Sequence, residues 1–124
     1  LIMFDLDHFK QINDSLGHAG GDQVLQKVAE LVSGRIRSHD IFSRWGGEEF
    51  EILTSRNDEE QATVLAEMLR EMIAQHSFIE NQQLTASFGI TCHRCGETSE
   101  ELMERVDAAL YQAKHNGRNR IEIL

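Results

Sequence analysis

The glycine pair at positions 46–47 separates two apolar, strand-like runs, residues 41–45 and residues 50–53. Glycine takes positive φ without a Cβ penalty, so this arrangement predicts a β-hairpin with the glycines at its turn. Glu48 and Glu49 follow the pair directly, and the hairpin is expected to place both at the start of its second strand. Successive strand residues point to opposite faces, so only one of the two carboxylates should enter a given site. The alternative is a surface turn with two solvated acids.

Composition excludes several classes of protein. The chain has 124 residues, 40% of them hydrophobic, which predicts one domain with a compact core. No apolar run approaches the ~18 residues that a membrane span needs. The formal net charge of −9 argues against a general nucleic-acid binder and against contact with an anionic membrane. A nucleotide substrate stays open, because a metal ion held by carboxylates inverts the local field.

Residues 1–6 form a short apolar run, which predicts a buried central strand with Asp5 at its carboxyl end. Asp7 is predicted to cap the helix that follows, over residues 8–12. An acid at the end of a buried strand needs a partner. Because Asp5 also lies beside the free N–H groups of a helix start, we predict a site for a metal ion and phosphate. The alternative is that both aspartates only shape the turn.

Three further helices are predicted. Residues 15–18 break the first helix, and the second is predicted to start at Gly20-Gly21-Asp22 and to run to about residue 37 on an amphipathic spacing. Capping boxes at residues 57–60 and 98–101 predict the starts of the other two helices. The pair Asn116-Gly117 is typical of a helix end and predicts where the last helix stops.

Strand patterns lie between these helices. Residues 84–91 predict a strand in which Ser87 and Gly89 indicate close packing or a bulge, and residues 121–124 predict a short last strand. With the hairpin, the predicted element order is β-α-α-β-β-α-β-α-β. This order indicates an α/β (α+β) fold, in which helices flank a mixed β-sheet.

Cys92 and Cys95 form a C-x-x-C pair, and we interpret the spacing as a coincidence. A structural zinc site usually needs four ligands, and a redox pair normally opens a helix after a strand. Here the pair leads into Gly96 and Thr98, which favour a loop. The low cysteine content is otherwise typical of a reducing, cytoplasmic setting.

Five segments of the chain, in order, resemble the GGDEF domain of diguanylate cyclases in its GGEEF form. They are DLDHFKQIND (5–14), GHAGGDQVL (17–25), RWGGEEF (44–50), SFGI (87–90) and DAALYQAKHNGRN (107–119). The resemblance covers essentially the whole chain. It implies a palm-like, ferredoxin-like sheet of the nucleotide-cyclase kind. It also identifies residues 1–124 as one such domain, truncated at its N-terminus before a leading helix and loop.

The resemblance implies that two GTP molecules condense into cyclic di-GMP and two pyrophosphates. Each subunit of a facing homodimer would bind one GTP, and an upstream sensor or regulatory domain would control dimerisation. The domain would act in the cytoplasm, within a parent protein that is sometimes membrane-anchored, and would itself contact neither nucleic acid nor membrane. Two alternatives stay open: a non-catalytic receptor for GTP or cyclic di-GMP, and an unrelated metal-dependent nucleotidyltransferase with the same palm.

The resemblance implies three sets of residues at the reacting phosphates: metal ligands, a second signature acid and phosphate-binding groups. The metal ligands for Mg²⁺, or Mn²⁺ in its place, are Asp5, the carbonyl of Leu6 and Glu48. Glu49 is the second acid of the signature, and it either positions the attacking 3′-hydroxyl or helps to deprotonate it. The phosphate-binding set comprises the backbone at His8 and Phe9 and the cations Lys10, Lys114 and Arg118. Lys10 is also counted as catalytic because it offsets charge on pyrophosphate.

Two more pairs recognise guanine-containing ligands in the family. Asn13 and Asp22 correspond to the residues that read the guanine of GTP. Arg37 and Asp40, an R-x-x-D motif five residues before the glycine pair, correspond to the site of product inhibition. Members with that site often add an arginine from the following helix, where this chain has Met68.

Overall fold

A computed structural model describes residues 1–124 as three helices packed on one five-stranded sheet. The strands are β1 (Ile2–Leu6), β2 (Ile41–Gly46), β3 (Glu49–Leu53), β4 (Ala86–Ile90) and β5 (Ile121–Ile123), and the helices are α1 (Phe9–Ser33), α2 (Glu59–Gln75) and α3 (Ser99–His115). A single 3₁₀ turn, Ile79–Asn81, follows α2. The strand order is β2-β3-β1-β4-β5, with only β4 and β5 parallel. The predicted mixed sheet flanked by helices is confirmed.

Alternation along β1 divides the core between the two faces of the sheet. Ile2, Phe4 and Leu6 belong to a 20-residue cluster that includes buried residues of α1 and α2, whereas Met3 packs with α3. The Phe4 ring stacks on Phe50 at 5.1 Å and on Phe88 at 4.8 Å between centroids. Burial of both faces holds the central strand rigidly, so the residues at its carboxyl end have a fixed position.

The first two predicted helices are one bent helix. Gly17 has φ 73° and ψ 171°, and the chain is helical on both sides of this kink. The predicted break is therefore confirmed. The predicted start of the second helix at Gly20 is wrong, because helical residues continue directly after the kink. Gly20 and Gly21 are instead buried inside α1.

The other helix ends follow the predicted signals closely. α3 begins with the predicted capping box of Thr98 and Glu101, and it ends at His115 with Asn116 as its C-cap. The capping box of α2 uses Asp58 and Gln61, one residue later than predicted. No helix is both long and apolar enough to cross a bilayer.

Gly89 confirms the close packing predicted in β4. A Cβ at this position would lie 2.5 Å from the backbone N of Leu110 and 2.7 Å from the carbonyl O of Val106. Backbone atoms of α3 cannot move aside for it, so glycine is required where this helix crosses the sheet.

Candidate active site

The hairpin joins β2 and β3 through a tight turn at Gly47 and Glu48. Gly47 has φ 49°, which explains one glycine of the pair, while Gly46 is the last residue of β2. The Nε of Arg44 donates to the carbonyl O of Gly47 at 2.7 Å and fixes the turn. The hairpin prediction is confirmed with one correction: β3 begins at Glu49, so Glu48 lies in the turn rather than in the strand.

This turn contacts the carboxyl end of β1. The N–H of Leu6 donates to the carbonyl O of Glu48 at 3.3 Å, and Asp5 lies opposite Glu49 in the β1–β3 register. The two sequence-distant acids predicted to share a site, Asp5 and Glu48, are therefore brought to the same edge of the sheet. The neighbouring strand β4 places Ser87 opposite Asp5 on its other side.

Asp5 is 8% exposed and has a single cationic partner, Lys114, whose Nζ donates to Oδ2 at 2.6 Å. Burial raises the pKa of Asp5 to about 6; Lys114 opposes this shift, and the charges of Glu48 and Glu49 add to it. The predicted need for a partner at Asp5 is thus met by a lysine from α3. Lys114 nevertheless pairs with Asp5 alone, and the nearby charges of Glu48 and Glu49 leave an excess of negative charge around Asp5.

The donors at this edge suit a hard divalent cation. Mg²⁺ prefers carboxylate and carbonyl oxygens, takes few ligands from the protein and completes its shell with water or substrate phosphate. Asp5, Glu48 and the Leu6 carbonyl supply oxygens of that kind. No group of three or more His, Cys, Asp or Glu side chains has a metal-binding arrangement. The remaining ligands would therefore come from outside the chain.

Asp7 does not cap α1, contrary to the prediction. Its carboxylate accepts from the hydroxyls of Thr85 and Ser87, both at 2.6 Å, and from the backbone N–H of Asn119 at 3.0 Å. With 6% exposure it joins β1, the start of β4 and the turn before β5. Sequence reasoning missed this role, although hydroxyls two residues apart on a predicted strand were a usable signal.

The cap position of α1 belongs to His8, which adopts a left-handed conformation (φ 54°, ψ 32°) and makes no capping hydrogen bond through its side chain. The first turn of α1 therefore begins without a side-chain acceptor, directly after the edge that carries Asp5. Free N–H groups at a helix start attract anions. Phe9 is buried and Lys10 is exposed, so only the lysine side chain is open to a ligand.

The other predicted phosphate cations differ in their surroundings. Lys114 is engaged with Asp5 rather than free. Arg118 is exposed in the turn after α3, with φ 62°, and its N–H donates to the carbonyl O of Ala113 at 2.9 Å. The next residue, Asn119, is the one bound by Asp7. Asp7 therefore holds the turn that carries Arg118 close to the end of β1.

Asn13 and Asp22 lie on opposite sides of the Gly17 kink and are brought near one another. An ideal Cβ at Gly21 would lie 1.8 Å from Oδ1 of Asn13, so the Asn13 carboxamide rests against the residue next to Asp22. Asp22 is exposed and lines a cavity of about 380 Å³ together with Phe42 and Phe50. The cavity reaches from α1 to the hairpin and is large enough for a nucleobase.

Arg37 and Asp40 form a turn before β2, in which the N–H of Arg37 donates to Oδ2 of Asp40 at 2.9 Å. The Asp40 side chain is 2% exposed, and its other oxygen is buried without a hydrogen-bond partner. Both residues line a cavity of about 520 Å³, as does Met68 from α2. Arg70 is not part of this cavity, because it pairs with Glu67 and Asn119.

The chain resembles known proteins over nearly its whole length. Residues 1–120 match the family model for the diguanylate cyclase GGDEF domain. The sequence is 43% identical over 121 residues to the diguanylate cyclase DgcM of Escherichia coli K12, an alignment that covers 98% of this chain and 30% of that protein. The chain therefore spans less than a third of this curated relative.

Two solved structures have closely similar folds. The active GGEEF domain of a diguanylate cyclase from Vibrio cholerae has a TM-score of 0.92 and 41% identity, with 98% of this chain and 80% of that one covered. The GGDEF domain of DgcB from Caulobacter crescentus in complex with c-di-GMP has a TM-score of 0.93 and 34% identity, with 98% and 75% covered. From the family match and these likenesses together, the chain belongs to the diguanylate cyclase GGDEF domain family.

Proposed function

We propose that this chain condenses two GTP molecules into cyclic di-GMP and two pyrophosphates, as one subunit of a facing homodimer. The observation that carries the proposal is the edge where β1 ends. There, a buried and under-neutralised Asp5 lies beside the Glu48 turn and the uncapped start of α1. Phosphoryl transfer needs positive charge and amide donors at the reacting phosphates. The acids would hold a metal cation there, and the start of α1 offers its free N–H groups.

In the proposed reaction, the 3′-hydroxyl of each GTP attacks the α-phosphorus of the other, so that two phosphodiester bonds form and two pyrophosphates leave. Asp5, Glu48 and the Leu6 carbonyl would hold Mg²⁺, or Mn²⁺ in its place, which supplies Lewis-acid charge to the phosphate oxygens. The start of α1 at His8 and Phe9, with Lys10 and Arg118, would bind the terminal phosphates. Glu49 would orient the attacking hydroxyl or accept its proton. Because each subunit brings one GTP, two subunits must face each other.

Selection of guanine is assigned to Asn13 and Asp22. A carboxylate accepts hydrogen bonds from the N1–H and the 2-amino group of guanine, and adenine has neither donor on that edge. Phe42, which is half-buried, lines the same cavity as Asp22 and offers apolar surface to a flat base. We therefore expect a preference for GTP over ATP.

Product inhibition is assigned to the cavity of Arg37 and Asp40. The Asp40 carboxylate accepts from the N–H of Arg37 and so fixes the turn, and the guanidinium of Arg37, which lines the cavity, matches a phosphate or a guanine edge. Met68 supplies apolar surface where an arginine would add charge. Arg37→Ala is expected to abolish inhibition by cyclic di-GMP without reducing the initial rate. Unchanged affinity for the product would contradict this assignment.

The proposal is tested by incubating the full chain with Mg²⁺ and GTP and by measuring cyclic di-GMP by mass spectrometry. Wild-type protein should form the product, and Glu48→Ala should not. Glu104→Ala removes an exposed acid on α3 and serves as the matched control with wild-type turnover. Tight GTP binding without product in the wild type would instead support a receptor. Product formation by Glu48→Ala would overturn the metal assignment.

A further inference from the structure

Gly21 is a buried glycine within α1 whose backbone does not need glycine. It is absent from the residues with positive φ, and the helix continues through it. Glycine in a helix interior is less favourable than alanine, because it loses more backbone entropy on folding. The reason for glycine at this position must therefore be the space that a side chain would fill.

That space is occupied by the end of the Asn13 side chain. An ideal Cβ at Gly21 would lie 1.8 Å from Oδ1 and 3.0 Å from Cγ of Asn13, and 3.3 Å from Cζ of Phe9. These atoms belong to side chains, and the carboxamide can rotate away. Gly20 is different, since its Cβ would meet the Cβ of Leu16 at 2.5 Å, an atom that no side-chain rotation can move.

We propose that Gly21 is a specificity-determining positioning residue, whose missing side chain seats the Asn13 carboxamide beside Asp22. The inference rests on the proposed function, in which these two residues read guanine. Asn13 precedes the Gly17 kink and Asp22 follows it, so the two depend on a contact across the bend to keep a fixed separation. Gly21 precedes Asp22 in sequence and provides that contact.

The expected effect of Gly21→Ala follows from what the methyl group displaces. The Asn13 carboxamide rotates out of place, and the helix keeps its fold. The KM for GTP should rise by about tenfold, which corresponds to the loss of one hydrogen bond to the base, while kcat changes little. Discrimination between GTP and ATP should fall together with GTP affinity. A purely structural glycine would not change this selectivity.

A double-mutant cycle between Gly21→Ala and Asn13→Ala tests the contact. Each single variant is expected to raise the KM for GTP by about tenfold, and the double variant should be no worse than Asn13→Ala alone, because the displaced group is already absent. Effects that multiply in the double variant, or an unchanged KM in Gly21→Ala, would overturn the proposal. If Gly21→Ala fails to fold, restored folding in the double variant supports the contact, and continued unfolding refutes it.

Two further measurements separate this inference from the function on which it rests. Gly34→Ala is the matched control, because the nearest atom its Cβ would meet, the carbonyl O of Glu30, lies at 3.5 Å, so the KM for GTP should stay unchanged. If Asn13→Ala itself leaves the KM and the GTP preference unchanged, the guanine-reading role and the Gly21 proposal both fail. If Asn13→Ala weakens GTP binding and Gly21→Ala does not, only the Gly21 proposal fails.

Discussion

Asp5 and Asp7 lie two residues apart at the end of β1, are both almost fully buried, and have opposite surroundings. Asp7 accepts three hydrogen bonds from neutral donors on β4 and on the turn before β5. Asp5 accepts one from Lys114 and lies close to two further acids. Its pKa is raised to about 6 mainly because burial penalises the charged form.

The difference separates a carboxylate that completes the fold from one that is available to a ligand. Buried polar groups are normally satisfied within the protein, and Asp7 follows this rule through residues from three segments. Asp5 departs from it, because the single lysine does not neutralise the carboxylates around it. Groups whose pKa is shifted in this way are concentrated at functional sites. The two aspartates therefore predict opposite consequences of the same Asp-to-Asn change.

The largest expected effect is the loss of activity in Asp5→Asn. An amide keeps the shape but removes the negative charge that would bind the metal ion, so cyclic di-GMP formation should fall about 10³-fold, as for several kcal/mol of lost transition-state stabilisation. The melting temperature should not fall, because Asp5 is held in an unfavourable environment. Turnover assays and thermal unfolding of the same samples check both parts. Activity within tenfold of wild type would remove Asp5 from the site.

Asp7→Asn should show the opposite pattern. The amide nitrogen cannot accept, so at least one of the three donors loses its partner, at a cost of about 2 kcal/mol in the free energy of unfolding. Activity should fall less than in Asp5→Asn and mainly through a higher KM for GTP, because the Asn119 turn carries Arg118. Denaturant unfolding measures the first effect. Asp14→Asn is the exposed control, and equal stability of these two variants would contradict the role of Asp7.

Lys114→Met tests how the only cation bound to Asp5 affects this carboxylate. Removing the ammonium leaves Asp5 buried without a partner, so the protein should lose about 1–2 kcal/mol of stability near neutral pH. The pKa of Asp5 should rise further above its usual range, because only the opposing cation is removed. Titration of the Asp5 carboxyl by NMR checks the direction of the shift. A lower pKa in Lys114→Met would contradict the assigned contact.

The last expected effect is a pH dependence of stability in the presence of a metal chelator. Asp5 has a folded-state pKa of about 6 and a reference value of 3.8, so the folded protein binds more protons than the unfolded chain between these limits. The contribution of Asp5 to stability is therefore fully present below about pH 4 and is lost as the pH rises through about 6. Asp5→Asn should remove this slope from denaturant unfolding curves. Identical slopes in both proteins would contradict the raised pKa.

Local signals predicted most of the fold and part of the site. Gly46-Gly47 indicated the hairpin, Thr98 and Glu101 the start of α3, and Asp5 the need for a partner at the strand end. The hairpin and the start of α3 depend on residues close together in sequence. The need for a partner at Asp5 follows from the cost of burying an unpaired charge. The family resemblance implied a palm-like sheet, and the structure confirms a mixed sheet flanked by helices.

The surroundings of Asp7 could not be predicted in the same way. Its donors come from positions 85, 87 and 119, far away in sequence. Residues adjacent to Asp7 in sequence indicated only a helix cap. The contact of Gly21 with Asn13 likewise depends on how far α1 bends at Gly17. Long-range contacts and bend angles are properties of the packed molecule and are not encoded in any short segment.

Metal binding by the two aspartate variants distinguishes a ligand-binding Asp5 from a structural Asp7. Mn²⁺ is titrated into wild-type protein, Asp5→Asn and Asp7→Asn without nucleotide, and free Mn²⁺ is followed by electron paramagnetic resonance. Asp5→Asn is expected to weaken Mn²⁺ binding by more than about tenfold, the scale reached even by changes outside the ligand shell. Asp7→Asn should bind Mn²⁺ as the wild type does. Wild-type Mn²⁺ affinity in Asp5→Asn would show that Asp5 is not a metal ligand.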